Sequence, residues 1–308
     1  MPATESLIDP QTLMRIKTLE MRAKIVVEGT WHGLHRSPYH GFSAEFTEYR
    51  EYSPGDDPRY LDWKLYARSD RYYIKRFEDE TSLRCQLLVD SSKSMGFGSS
   101  GVGYTKSEYA NTLAATFAYF LNTQRDAVGL VTFDEEIRDY MPARYRPGHL
   151  HRMLVCLERP TRGKSTDLIA PLERIAQLVN KRGVMILISD LLAPLDGLER
   201  NLGYLRSRGH EVFVFHTLDP AEMTLKFDDA AVFEDLESGR DLYVDPDLIR
   251  QQYLQDFGAH LEVVAQICDR LGIEYRRFTT DQPLELALFE FLRSRMEEGK
   301  KVLRRAAR

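Results

Sequence analysis

The sequence has little cysteine, no long apolar run and no excess of positive charge, and each shortage removes a class of function. Only three cysteines occur among 308 residues: Cys85, Cys156 and Cys268. They lie far apart and form no C-x-x-C pair. So sparse and odd a set points to reduced thiols rather than a disulfide framework. Three small buried hydrophobes describe them better than a redox centre. The most apolar short run, Val184 to Ile188, is far too short to cross a bilayer. Residues 1–12 are polar and lack the apolar stretch of a secretion signal. The expectation is a soluble, cytoplasmic chain with no direct membrane insertion. Lys and Arg number 42 against 47 Asp and Glu, for a net charge of −5, which argues against a dedicated nucleic-acid binder.

What the chain does have is a normal globular composition, 43% hydrophobic, and a length that suggests about two domains. Residues 9–28 place Leu13, Ile16, Leu19, Ala23 and Val27 at helical spacing behind Asp9-Pro10, a good helix start. Residues 30–82 are rich in Tyr, Phe, Trp and Arg and carry the turn Ser53-Pro54-Gly55-Asp56, so short strands are expected at Phe42 to Tyr52 and Tyr72 to Phe77.

From Cys85 a regular alternation begins. Strands are expected at Gln86 to Val89, Ala127 to Phe133, Val184 to Ser189 and Val212 to His216. Helices are expected at Lys106 to Leu121, His149 to Leu157, Leu168 to Asn180 and Leu198 to Arg206. Continuously apolar strands alternating with helices imply an α/β fold, a mostly parallel sheet covered on both faces. A hairpin around Ser238-Gly239 follows, then a long helix from Pro246 to Leu271, a strand from Glu274 to Phe278 and a helix from Leu284 to Met296. The resulting division is 1–82, a helix and β-rich segment; 83–220, the α/β core; 221–296, elements completing it; and 297–308, a basic tail expected to fray.

Three loops carry the chemistry. Asp90-Ser91-Ser92-Lys93-Ser94 follows the first core strand, Ser165-Thr166-Asp167 precedes a helix, and Ser189-Asp190 ends the strand Val184 to Ile188. In parallel sheets, ligands bind at the carboxyl ends of the strands. A hard cation such as Mg²⁺ wants about six oxygens and keeps several waters. Two serine hydroxyls at alternate positions of a tight loop can face one ion. A threonine hydroxyl adds a third oxygen, and two aspartates orient waters and supply charge. An ordinary capped turn would use the same Asp and Ser residues, so the loop alone says little.

Asp90, Ser92, Ser94, Thr166 and Asp190 together resemble the metal-ion-dependent adhesion site of von Willebrand A domains. Two departures stand out: Leu191 where many such domains have glycine, and Ser165 as a competing hydroxyl. Upstream, Gly41-Phe42-Ser43-Ala44-Glu45-Phe46, Arg50 to Asp57, Arg59, Asp62-Trp63 and Ala67-Arg68 resemble the signature of the domain of unknown function 58 family, as do Gly272 to Tyr275 and Asp281 to Leu284. The resemblance implies a von Willebrand A-like fold, a bound Mg²⁺ (or Mn²⁺ or Ca²⁺), and a non-enzymatic role as adaptor or co-chaperone of a MoxR-type AAA+ ATPase acting on a client protein.

Other signals weigh less. Gly96-Phe97-Gly98-Ser99-Ser100-Gly101 satisfies G-x-G-x-x-G, but six residues separate it from the strand end and no acid follows at the required distance, so it reads as a flexible loop. Gly163-Lys164-Ser165-Thr166 imitates a P-loop end without the earlier glycine. Interleaved basic and aromatic residues between Arg59 and Arg76 are flanked by acids, which favours cross-strand ion pairs over nucleic acid. His32, His35 and His40 lack zinc spacing. Asp90 as a phosphohydrolase nucleophile is the enzymatic rival, weakened by Ser92 where a second carboxylate is expected. A scaffold with a vestigial metal site is the third reading.

Overall fold

The computed structural model describes residues 7–36, 48–51, 66, 71–76, 83–159, 168–225, 231–234, 241–244 and 246–306. The chain divides into two units, one made of residues 1–33 and 83–308, the other of residues 34–82. In the smaller unit, β1 (Glu48–Glu51) pairs antiparallel with β2 (Tyr73–Arg76). Tyr66 stacks on Tyr72 with ring centroids 4.5 Å apart. The strand expectations thus hold in shortened form, and residues 42–47, 52 and 77 lie outside the described residues.

In the larger unit the first helical stretch is two helices, α1 (Pro10–Met14) and α2 (Leu19–Arg36). The reason is Arg22. Its guanidinium reaches back to donate to the carbonyls of Met14 and Ile16 at 2.8 and 2.6 Å, satisfying the end of α1. This leading segment packs with the larger unit: Ile8 N donates to Glu285 Oε1, and Gln11 Nε2 to the Gly101 carbonyl.

The core alternation runs β3 (Arg84–Asp90), α3 (Lys106–Thr123), β4 (Ala127–Phe133), β5 (Ile137–Arg144), α4 (His149–Leu157), α5 (Ile169–Leu178), β6 (Val184–Ser189), α6 (Leu195–Ser207), β7 (Glu211–Leu218) and α7 (Pro220–Thr224). The hairpin β8 (Ala231–Glu234) and β9 (Asp241–Val244) follows, its turn outside the described residues. Then come α8 (Pro246–Leu271), β10 (Glu274–Thr279) and α9 (Glu285–Ala306). Helix α9 continues well into the tail expected to fray.

Six strands form one sheet in the order β10-β7-β6-β3-β4-β5. All neighbours are parallel except β4 and β5. Strand β5 is absent from the sequence reading. It is an edge strand whose residues are only half-buried or exposed, and it lacks the apolar run that marks the others.

Strands β4 and β6 are buried along their whole length. On one face Leu88, Met185, Leu187 and Val214 pack with Leu172, Leu198 and Val264 from α5, α6 and α8. On the other, Phe117 of α3 lies 5.3 Å from Phe215 and 5.4 Å from Phe291 of α9. Helices therefore cover both faces, and burying large side chains on both stabilises each strand by roughly 2 kcal/mol per residue.

Candidate metal centre

The central strands β3 and β6 lie side by side, with Val89 opposite Ile188. From β3 the chain moves to β4 on one side; from β6 it moves to β7 on the other. The strand order therefore reverses between them, and in α/β sheets ligands bind at the carboxyl ends of the strands at such a switch point. Asp90 is the last residue of β3, and Asp190 is the residue after β6. The fold brings together two aspartates a hundred residues apart in sequence.

The Asp90 loop is fixed on all sides. Asp90 Oδ1 accepts from Ser92 N at 2.8 Å, and Oδ2 accepts from Ser189 Oγ at 2.6 Å. Both Ser91 N and Ser91 Oγ donate to the Phe133 carbonyl, tying the loop to β4. A short 3₁₀ turn over Lys93–Gly96 then turns the chain back, and the hydroxyls of Ser92 and Ser94 come within 3.0 Å of each other. Ser92 and Ser94 are both buried.

Asp190 is fully buried. Its Oδ2 accepts from Lys106 Nζ at 2.8 Å, and its main-chain carbonyl accepts from His216 Nε2 at 2.7 Å. Lys106 is fully buried too, and its ammonium also donates to Glu222 Oε1 at 2.6 Å. Glu222 Oε2 in turn accepts from Asp219 N, closing a capping box at the start of α7.

The charges feel one another. Burial, then the neighbouring Asp190 charge, push the Asp90 carboxyl up to about 6, against the lowering effect of its hydrogen bonds from Ser189 and Ser92. Burial pushes Lys106 down, but Asp190 and Glu222 outweigh it and hold the ammonium above its ordinary range. Burial lowers His216 to about 4, so the ring is neutral at pH 7.

Four of the five expected residues, Asp90, Ser92, Ser94 and Asp190, thus lie together at the carboxyl ends of β3 and β6. Thr166, with Ser165 and the Gly163-Lys164 pair, lies outside the described residues. Among the described residues no three His, Cys, Asp or Glu side chains gather as a metal cluster. The donors are hydroxyls as much as carboxylates. Asp190 and Glu222 share the Lys106 ammonium, and Asp90 lies beside Asp190 without a cation of its own, so three carboxylates against one ammonium leave two negative charges. Paired hydroxyl oxygens and two uncompensated charges fit a hard divalent ion.

Sequence reasoning missed Lys106, Glu222 and His216. Lys106 left one trace. It stands in the first turn of an apolar helix behind the capping residue Thr105, where the helix dipole disfavours a cation.

The G-x-G-x-x-G loop is tied down rather than loose. Ser99 N donates to Asp219 Oδ2 at 2.9 Å, and Lys106 N to the Phe97 carbonyl at 2.9 Å. A Cβ on Gly98 would fall 2.3 Å from the Tyr104 carbonyl oxygen, so this glycine serves close backbone approach.

The sheet order, its single antiparallel edge and the loop cluster at the switch point define a doubly wound α/β protein, the fold expected of a von Willebrand A-like domain. More particularly, the chain belongs to the family described as Protein of unknown function DUF58, which it matches over residues 48–262. It is 29% identical over 292 residues to the uncharacterized protein Rv1480 of Mycobacterium tuberculosis H37Rv, covering 93% of this chain and 90% of that protein. Solved structures similar to it include BatB from Bacteroides thetaiotaomicron, at 15% identity and TM-score 0.47 over 70% of this chain and 99% of that one. They also include the SpRpn10 VWA domain, at 12% identity and TM-score 0.39 over 66% and 92%. Among the described residues no helix is long and apolar enough to cross a membrane.

Proposed function

We propose that the chain is a non-enzymatic, metal-dependent protein-binding module that serves as adaptor or co-chaperone of a MoxR-type AAA+ ATPase in the assembly or maturation of a client protein. The observation that carries the metal-binding part is the pairing of Asp90 and Asp190 with the adjoining Ser92 and Ser94 hydroxyls at the switch point. The ATPase partnership rests on the family resemblance.

Ser92, Ser94, Asp90 and Asp190 would hold Mg²⁺, Mn²⁺ or Ca²⁺, with Thr166 as the further hydroxyl. Once bound, the ion supplies an electrophilic point for a Glu or Asp of the partner. The protein's own residues do the rest. Ser189 and the Ser92 amide orient Asp90, His216 fixes the Asp190 peptide, and Ser91 anchors the loop to β4. A nucleophilic role for Asp90 fits poorly, because both its oxygens already accept hydrogen bonds and it is buried.

The test is affinity capture with the whole chain, with and without chelator. The reading expects an AAA+ ATPase retained only with divalent metal, and retained poorly by Ser92→Ala/Ser94→Ala. Capture that is as strong in chelator as with divalent metal, or equal capture by wild type and variant with metal present, removes the metal from the account.

A further inference from the structure

Lys106 is an expensive residue to keep. It carries a positive charge in the first turn of α3, where the helix dipole opposes it, and its side chain has no exposure to solvent. Its ammonium is held between Asp190 Oδ2 at 2.8 Å and Glu222 Oε1 at 2.6 Å. A buried ion triad of this kind adds little net stability over well-packed apolar side chains. Stability alone therefore does not account for it.

Its position supplies another reason. The triad joins three separate elements: the loop after β6, the start of α3, and α7. Helix α7 is itself fastened to its surroundings, since Tyr253 of α8 donates to the Glu222 carbonyl and Ser99 N to Asp219 Oδ2. One oxygen of Asp190 is committed to the ammonium, while the other takes only a long contact, 3.4 Å, from Leu192 N.

We propose that Lys106 is a positioning and charge-setting residue of the ion site: its ammonium is a resident cation that holds Asp190 in place, competes with the incoming divalent ion for that carboxylate, and keeps the site's net charge at minus two. The inference rests on the metal-binding reading above. It adds that the affinity of the site is held down on purpose, so that ion and partner carboxylate must arrive together to outcompete Lys106. Glu222 opposes Lys106 in the same balance, because it shares the ammonium and so weakens its hold on Asp190.

Three variants separate these effects, read by calorimetric titration of the whole chain with MnCl₂. Lys106→Met/Glu222→Gln removes the competitor and leaves Asp90 and Asp190 as the charges, so Mn²⁺ affinity is expected to rise at least tenfold. Glu222→Gln alone gives Asp190 the undivided ammonium and one negative charge fewer, so affinity is expected to fall at least tenfold. Lys106→Met alone leaves three carboxylates uncompensated. Its preference for Tb³⁺ over Mn²⁺, read by terbium luminescence, is expected to exceed that of the wild type.

A merely structural triad predicts a different pattern: no folded variant binds Mn²⁺ more tightly than the wild type. A folded Lys106→Met/Glu222→Gln whose affinity equals or falls below that of the wild type overturns the proposal. Should the double variant fail to fold, Lys106→Met alone decides: without the competing ammonium its Mn²⁺ affinity is expected to rise at least tenfold, and unchanged or weaker binding there is a refutation. The two readings fail separately. If wild type binds Mn²⁺ through Ser92 and Ser94 but the Lys106 and Glu222 variants leave it unchanged, only the Lys106 proposal falls. If wild type binds no Mn²⁺, the metal reading falls and takes this one with it.

Discussion

His216 Nε2 lies 2.7 Å from the main-chain oxygen of Asp190. A carbonyl only accepts, so Nε2 carries the proton and donates. Nδ1 is then left as the acceptor for the Tyr275 hydroxyl 2.8 Å away. The neutral ring therefore ties the peptide of a proposed metal ligand to the strand β10. Substituting His216→Phe leaves a buried carbonyl and a phenol without partners, at a cost of about 1–3 kcal/mol. Urea denaturation is expected to show that loss together with weaker Mn²⁺ binding. Full metal affinity in a destabilised His216→Phe would separate the ring from the site.

The metal-free protein carries two opposed pH dependences in one place. Asp90 is raised from 3.8 to about 6, so its contribution favours the folded state fully below 3.8 and is lost as pH rises through 6. His216 is lowered from 6.5 to about 4, so its contribution is present above 6.5 and is lost as pH falls toward 4. Each amounts to about 3 kcal/mol, with opposite sign over nearly the same window. In chelator the two oppose each other in the wild type. Asp90→Asn removes one side, so its stability is expected to drop by about 3 kcal/mol more than that of the wild type between pH 6.5 and 4. Parallel stability curves for the two proteins would contradict the assignment.

Leu191 sits directly after Asp190 with φ +51°, in the left-handed region that L side chains disfavour by roughly 1–2 kcal/mol. Its side chain is fully buried in the core and holds the residue there. Truncation to alanine keeps the backbone strain and loses the packing. Truncation to glycine loses the same packing but relieves the strain. Leu191→Gly is therefore expected to be about 1 kcal/mol more stable than Leu191→Ala. The usual order, with alanine the milder change, would refute the strain.

The two glycines beside the site should behave differently. A Cβ on Gly98 meets Tyr104 and Thr105 backbone atoms at 2.3 to 2.9 Å, whereas one on Gly96 meets nothing within 4 Å. Gly98→Ala should cost about 1–3 kcal/mol and disturb the start of α3, where Lys106 begins. Gly96→Ala should be close to neutral. Equal effects in thermal melts would contradict the close-packing account of this loop.

The sequence exposed the parts of the fold that bury both faces. Leu87 to Val89 and Val184 to Ile188 are continuous apolar runs because helices cover them above and below. Strand β5 stayed hidden because, among the described residues, one of its sides has no strand beside it and its residues are only half-buried or exposed, with Pro142 inside it. Helix α7 is one turn long, and only its Asp219-Pro220 and Glu222 capping signals mark it. At the candidate site, Asp90 and Asp190 were legible because they stand at strand ends, and Ser92 and Ser94 because they follow Asp90 at alternate positions of its loop. Lys106 was not. It reaches Asp190 across 84 residues of sequence, and only the fold makes them neighbours.

The most direct test of the central claim is calorimetric titration of the whole chain with Mg²⁺ and Mn²⁺, beside Ser92→Ala/Ser94→Ala. The account predicts one divalent ion bound per chain and loss of that binding in the folded double variant. Equal binding by both proteins, or none by the wild type, would contradict it.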